Sequence, residues 1–222
     1  MHPDSVPTRG RTLDYGAPVY DMLEPLLMLG KLSANNRRII DLLSLQKQHR
    51  VLDLGCGTGT LTRAIGDRLD AEAGGMALGI DAAAGMIRIA AKKRASTTCR
   101  FEVVAAESLP YADTSFDAVV SSLFFHHVDR DLKERAIREA FRVLRSGGLL
   151  VVADMHTPTT FMGSLVSHAA RWLLVQPQIG ENIAGVLPEL MLQAGFEQPR
   201  LNAMFMGYIA LFSTRKAQVH TP

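Results

Sequence analysis

The sequence predicts an α/β fold: an open, doubly wound sheet with helices on both faces. Three observations carry this. Val51-Leu52-Asp53-Leu54 is a short apolar run of the kind that forms a strand buried on both faces. Gly55-Cys56-Gly57-Thr58-Gly59 follows it as a glycine-rich turn into a helix. Strand and helix patterns then alternate along the chain, and Met76-Ala77-Leu78-Gly79-Ile80-Asp81 is a second strand ending on a carboxylate.

Residues 1–18 carry Pro, Gly, Asp and Thr with little periodicity, and read as a loose tail or as a lid over bound cofactor. Val19, Met22, Leu23, Leu26 and Leu27, then Ile39, Ile40, Leu42 and Leu43, are spaced as helices, with Gly30 and Asn35-Asn36 breaking the run in two. Residues 1–45 are thus an N-terminal lid and helices, forming a single fold unit with a domain over 46–222. After the first strand, Thr58 and Thr60 are the hydroxyl residues that suit a helix cap, and Leu61, Ala64, Ile65 and Leu69 give that helix one apolar face. A helix from Ala82 to Arg94 follows the second strand, and Phe101 to Ala105 is the third.

Ala106 to Tyr111 turns, and Ala118 to Ser122 is a fourth strand, lying beside the first in the doubly wound order. Leu123 to Val128 is read as an extended segment at its carboxyl end. Asp129 suits the cap of an amphipathic helix over Leu132 to Leu144, which Arg145-Ser146-Gly147-Gly148 stops before a fifth strand, Leu149 to Asp154. Two helices are expected over Phe161 to Val175 and Ile183 to Ala194, with Pro177 and Gly180 between them and Gly195 ending the second. Two final strands run from Arg200 to Met206 and from Tyr208 to Ser213.

The 222 residues suit one α/β domain, and 47% hydrophobic residues are enough for a full core. A net charge of +2 without a basic run argues against nucleic acid as a partner. Cys56 falls in the turn and Cys99 just before a strand, so both read as reduced thiols of a cytoplasmic protein. The spacing of Cys and His offers no zinc site, and no metal is expected. The N-terminus has no basic-then-apolar signal pattern, and no run reaches the roughly 18 apolar residues of a membrane span, leaving peripheral membrane contact open.

A strand–turn–helix of this kind sets free backbone N–H groups at the carboxyl end of a strand, where open α/β sheets bind ligands. The dinucleotide fingerprint is G-x-G-x-x-G. Here the third glycine comes one residue early and Thr60 holds its place, which argues against a pyrophosphate turn and a nicotinamide dehydrogenase. Asp53 at the strand end suits a cationic ligand better than a phosphate. Asp81, at the end of the second strand, can accept two hydrogen bonds from a ribose diol, or cap the helix after it.

The stretch Val51 to Gly59 resembles motif I of the class I methyltransferases that use S-adenosylmethionine (SAM). Tyr20-Asp21, the turn Ala106-Glu107-Ser108-Leu109-Pro110-Tyr111 and the phrase Arg142-Val143-Leu144-Arg145-Ser146-Gly147-Gly148 are similar to segments of the ubiquinone/menaquinone C-methyltransferase family. The chain departs from that family in lacking its tryptophan after Tyr20-Asp21, and in holding Ala105 where an adenine-binding Asp is usual. The resemblance spans about residues 15–154; beyond Met155 it is one of topology. It implies a Rossmann-like sheet of seven strands, mostly parallel, with an antiparallel C-terminal hairpin.

The cofactor implied is SAM, with S-adenosylhomocysteine (SAH) as product. Around the turn and second strand its site would take Asp53, Gly55, Cys56, Gly57, Gly59 and Asp81. Tyr20, Ala82, Met86, Ala106, Glu107 and Ser121 would complete it, with Tyr15 a further residue able to close over the methionyl group.

Methyl transfer from a sulfonium needs alignment above all, and a base where the nucleophile starts protonated. His126 and His127 are the first candidates for that base, one of the pair facing the cleft; Asp154 and His156, at the mouth of strand five, are the second choice. Phe124, Phe125, Met155, Phe161, Met162, Trp172, Leu173, Leu174, Met204, Phe205 and Met206 lie in segments able to wall an apolar acceptor site, with ordinary core packing as the alternative. No Asn-Pro-Pro-Tyr or Asp-Pro-Pro-Tyr follows strand four and no cysteine follows strand four or five, which argues against methylation of nucleic-acid bases. The expected activity is transfer of the SAM methyl group to a small apolar or aromatic acceptor, quinol-like or lipid-like. The alternative is a SAM-binding regulatory or partner protein without methyl transfer.

Overall fold

The computed structural model describes residues 4–7, 32–173 and 178–218. The strands are β1 (Arg50–Leu54), β2 (Met76–Asp81), β3 (Cys99–Val103), β4 (Phe116–Ser122), β5 (Leu144–Met155), β6 (Arg200–Phe205) and β7 (Ile209–Arg215). The helices are α1 (Leu32–Leu43), α2 (Thr60–Gly66), α3 (Ala84–Arg94), α4 (Arg130–Val143), α5 (Phe161–Leu173), α6 (Gln178–Ile183) and α7 (Val186–Gln193). The strands form one seven-stranded sheet in the order β3-β2-β1-β4-β5-β7-β6. Pairings from β3 to β5 are parallel, and β7 runs antiparallel to both β5 and β6. The expected sheet, with its C-terminal antiparallel hairpin, is the one observed. The strand order reverses between β1 and β4, and that switch point fixes where a ligand crevice opens.

Alternation along the central strands divides the core in two. Leu52, Leu54, Val119, Leu150 and Val152 face α4 and α7, where Leu132, Ile137, Leu187 and Leu190 are buried against them. Val51, Ala118, Val120, Val151 and Ala153 face the opposite way, against Ile39 and Leu43 of α1 and Leu61 and Ile65 of α2. Asp53 shares the α2 side with Val51, and Asp154 shares the α4 side with Val152. β1 and β5, on either side of the central β4, therefore send one carboxylate to each face of the sheet at its carboxyl edge.

Several local expectations change. Asn35 and Asn36 sit inside α1, 3% and 8% exposed, and do not break it. Asn35 donates from Nδ2 to Ser122 Oγ of β4 at 3.4 Å, so tertiary contact overrides weak helix propensity. Neither Thr58 nor Thr60 caps α2: its N-cap is Gly59, at φ 85°, with no side-chain cap hydrogen bond. A Cβ at Gly59 would run into the ring of Phe101, so both backbone and space select glycine. β3 begins at Cys99, two residues before the expected start, and β4 begins at Phe116, before the expected Ala118.

The segment after β4 is a 3₁₀ turn over Phe125–His127 instead of an extended run. Asp129 caps α4 as expected, accepting from Leu132 N–H at 2.9 Å. The helix expected from Ile183 to Ala194 is α7, which starts at Val186 after Gly185 at φ 83°, and a further short helix, α6, runs through Gly180 where an interruption was expected. The helix expected over 19–30, and with it Tyr15 and Tyr20, lies outside the described residues.

Candidate active site

Three left-handed glycines shape the loop after β1: Gly55, Gly57 and Gly59, at φ 67°, 54° and 85°. Cys56 N–H donates to Ile80 O at 2.9 Å and Gly59 N–H to Cys56 O at 2.9 Å, which ties the loop to the end of β2. Asp81 completes the tie: Oδ2 accepts from Gly57 N–H at 3.1 Å and Oδ1 from Ala83 N–H at 2.9 Å. Its second bond closes a turn ahead of α3, whose N-cap is Ala83 and not Asp81; its first turns the carboxylate to the loop. A Cβ on Gly57 would meet nothing within 4 Å, so open space lies beside the loop's backbone, next to this carboxylate. Gly55 is covered by the ring of Phe124.

Asp53 lies beneath the loop. It is 2% exposed, and its Oδ2 accepts from Thr62 Oγ1 at 2.6 Å. Burial pushes its carboxyl up to about 7; the charge of Asp81 adds to this, and the Thr62 hydrogen bond works against it. A buried carboxyl with a half-buried carboxylate beside it suits a positively charged ligand, and SAM carries both a sulfonium and an ammonium. Asp53 pairs in register with Gly79, whose Cβ would crowd Phe101 at 2.8 Å, Thr62 Oγ1 at 2.8 Å and Cys56 Sγ at 2.9 Å. Gly79 thus makes room for the threonine that holds Asp53.

The remaining expected cofactor residues divide. Ala82 is half-buried; its carbonyl accepts from Val6 N–H at 3.1 Å. Met86 is 3% exposed and packs with Ala83. Ser121 is fully buried and donates to Leu54 O at 3.0 Å, joining β4 to β1 at the switch point. Ala105 and Ala106 are buried, and Glu107 is half-buried in the turn after β3. That turn is clamped to α4: Leu109 N–H donates to Glu139 at 2.7 Å, while Arg142 donates to Leu109 O at 2.9 Å and Tyr111 O at 2.7 Å. The Arg142 hydrogen bonds hold the Glu139 carboxyl below its usual range, against a burial effect of opposite sign.

Across the switch point, the turn after β4 meets the end of β5. Asp154 is 1% exposed and saturated with donors. Its Oδ2 accepts from Phe125 N–H at 2.7 Å, and its Oδ1 lies 2.8 Å from His126 Nδ1, 2.7 Å from Met155 N and 3.2 Å from Asn182 Nδ2. Burial alone would raise the Asp154 carboxyl, but the His126 charge and these hydrogen bonds outweigh it and hold it below its ordinary value. An ionised carboxylate can only accept, so the His126 Nδ1 that faces it carries a proton, and Nε2 is the ring nitrogen turned away from it. The His126 side chain is 13% exposed.

Thus the first-choice and second-choice bases form a single unit, His126 with Asp154. His127 lies against it, ring centroids 3.9 Å apart and tilted by 44°. His156 makes no bond to Asp154. It packs edge-on against Phe212, 5.0 Å between centroids, and burial lowers its pKa, which keeps it neutral.

Of the apolar residues expected to wall an acceptor, Phe125 and Met155 belong to the core, at 0% and 5% exposed. Phe161 and Met162 point outward, at 83% and 62% exposed. Phe124, Met204 and Phe205 are partly buried at the edges of the two cores. Asn182 and its neighbours on α6 were not read as functional in the sequence. One signal was available: Lys133 falls on the apolar stripe of α4, with Ala136, Ile137 and Ala140, and there it is fully buried against Glu181.

The switch-point sheet, glycine loop and paired carboxylates together define a SAM-dependent methyltransferase of class I. A methyltransferase-domain family model matches residues 51–148. The chain belongs to the ubiquinone/menaquinone biosynthesis C-methyltransferase family. It is 30% identical over 215 residues to the ubiquinone/menaquinone biosynthesis C-methyltransferase UbiE of Pasteurella multocida, covering 86% of this chain and 78% of that one. It is 34% identical over 171 residues to the demethylmenaquinone methyltransferase of Thermus thermophilus, covering 76% and 75%.

Among solved structures, the YcgJ protein of Bacillus subtilis superposes with a TM-score of 0.65 at 19% identity, over 84% of this chain and 99% of that one. Phosphoethanolamine N-methyltransferase 2 of Haemonchus contortus, in complex with SAM, superposes with a TM-score of 0.64 at 17% identity, over 83% and 53%. These two likenesses concern the fold. The protein is an enzyme and its cofactor is SAM. Among the described residues no helix is long and apolar enough to cross a membrane.

Proposed function

We propose that the chain methylates a small, apolar, aromatic acceptor of quinol type, with His126 as general base and Asp154 as its partner. The observation that carries this is the His126–Asp154 pair, 2.8 Å apart, at the carboxyl ends of β4 and β5 across the switch point from the glycine loop. The names of the family's members add support for a quinol-like acceptor.

Gly55, Cys56, Gly57 and Gly59 hold the methionyl end of the cofactor, Asp81 the ribose hydroxyls, and Ala82, Ala106 and Glu107 the adenine side. Asp53 acts through its field, and Tyr20 is the proposed contact from the N-terminal segment. When bound, SAM supplies an electrophilic methyl group. His126 Nε2 takes the proton of an acceptor hydroxyl, and Asp154 stabilises the imidazolium that results. Electron density released into the ring then makes its adjacent carbon the nucleophile; the new carbon–methyl bond would form as the methyl–sulfur bond breaks, and the ring would recover its aromaticity by losing the hydrogen of that carbon as a proton while the oxygen regains the proton held by His126. The catalytic unit is taken to begin at residue 46, with α1 packed on it as part of the same fold. The free thiols Cys56 and Cys99 fit a cytoplasmic setting.

The test is to incubate the protein with methyl-labelled SAM and a reduced extract, then separate organic, aqueous and polymer fractions. Label in the organic phase is expected. Label confined to aqueous small molecules, RNA or protein would discard the apolar acceptor.

A further inference from the structure

We infer that Asn182 is a positioning residue that fixes the orientation and tautomer of His126 through Asp154, and that the buried Lys133–Glu181 pair holds it in place. The inference rests on the reading of His126 as the base. Asn182 is fully buried on α6, a helix of 6 residues. Its Nδ2 donates to Asp154 Oδ1 at 3.2 Å and to Met155 O at 3.3 Å. Asp154 Oδ1 is the same atom that accepts from His126 Nδ1. The two backbone donors to Asp154, Phe125 N–H and Met155 N–H, come from the turn and strand that also carry the dyad. Asn182 brings a donor from a separate element, so the position of α6 bears directly on the carboxylate.

A helix this short has little stability of its own. Lys133 supplies the anchor. Its ammonium, 0% exposed, donates to Gln178 O at 3.2 Å and to the carboxylate of Glu181, the residue before Asn182. One lysine on α4 thus holds α6 at its first residue and again one turn later. The orientation of the Asn182 amide follows from the same contacts: its NH₂ group faces a carboxylate and a carbonyl, both acceptors.

Removing Asn182 leaves Asp154 Oδ1 with one donor fewer and more freedom to rotate. More negative charge then falls on His126, which strengthens its hold on a second proton. The charged and titratable groups beside the dyad are His127, whose ring lies against His126, and Lys133, on which Asp154, Glu181 and the α4 cap Asp129 act; all are retained in Asn182→Ala.

Imidazole nitrogen NMR of the SAH-bound protein reads the tautomer without any acceptor. Wild type is expected to show one Nδ1–H tautomer for His126, and Asn182→Ala a mixture. In methyl transfer, the acidic limb of kcat/KM is expected to move to higher pH and kcat to fall about tenfold, with SAM affinity within about twofold of wild type. A single unchanged tautomer with an unmoved limb would overturn the inference, as would equal losses of kcat and SAM affinity together with a lowered Tm. Should Asn182→Ala not fold, Lys133→Met is expected to move the limb in the same direction, and an unmoved limb there overturns it equally. The base reading has its own control: a His126→Ala protein with wild-type turnover removes the base, while the NMR result still decides the role of Asn182.

Discussion

Asp53→Asn isolates the charge beneath the glycine loop. The substitution keeps the shape and an acceptor for Thr62, and removes the titrating group. In the folded chain this carboxyl is 2% exposed, and burial raises it from the ordinary 3.8 to about 7. The folded state therefore holds the proton more tightly than the unfolded state. The group's contribution to stability is greatest below pH 3.8, declines as pH rises, and levels off above about 7. At about 1.36 kcal/mol per pH unit, the climb from about pH 5 to 7 costs the folded wild type roughly 3 kcal/mol.

Asparagine carries no such cost. Urea unfolding of both proteins at about pH 5 and pH 8 should thus show the variant gaining roughly 3 kcal/mol on wild type between the two, other groups cancelling in the comparison. A difference that stays constant within about 0.5 kcal/mol would refute the claim that Asp53 is a buried, proton-holding carboxyl. The same charge bears on ligand choice. SAM carries a sulfonium that SAH lacks, so the ratio of SAM to SAH affinity should rise with pH over this range in wild type and be flat in Asp53→Asn.

Other substitutions test the remaining parts. Gly79→Ala places a methyl against Phe101, Thr62 and Cys56, and should destabilise the fold by about 1–3 kcal/mol while weakening SAH binding by calorimetry; wild-type values for both would show the loop packs more loosely. Asp81→Ala removes the acceptor of Gly57 N–H and Ala83 N–H, and should cost at least about tenfold in SAH affinity, since bonds to a charged group are worth about 1.5–3 kcal/mol; undiminished affinity would withdraw Asp81 from the site. Asp154→Asn retains the shape but can offer His126 a donor in place of an acceptor, so kcat should fall by about 10²–10⁴ with SAH binding intact. A kcat close to wild type would remove the dyad from the mechanism.

The glycine-loop half of the candidate site was legible because its physics is local. A left-handed turn needs glycine, so Gly55, Gly57 and Gly59 mark the loop, and the carboxylate ending the next strand falls beside it by the parallel pairing of β1 with β2. The half around His126 and Asp154 was legible only in its residues. His126 and Asp154 were both candidates, but their union depends on the 3₁₀ turn that replaces an extended segment, and the packing of Phe125 into the core sets that turn. Asn182 and Glu181 lie in a short helix whose position depends on Lys133, 45 and more residues earlier, and no local pattern announces such a contact. Asn35 failed for the same reason in reverse: its contact with Ser122, not its propensity, keeps it helical.

The central claim is methyl transfer from SAM to an apolar quinol with His126 as base. The most direct measurement is single-turnover transfer of labelled methyl from SAM to a reduced, demethylated naphthoquinone, comparing wild type with His126→Ala at matched SAH affinity. The account predicts label in the quinone with wild type and a rate about 10²–10⁴ lower in the variant. No label in the quinone from a wild-type protein that binds SAH, or equal rates in the two proteins, would contradict it.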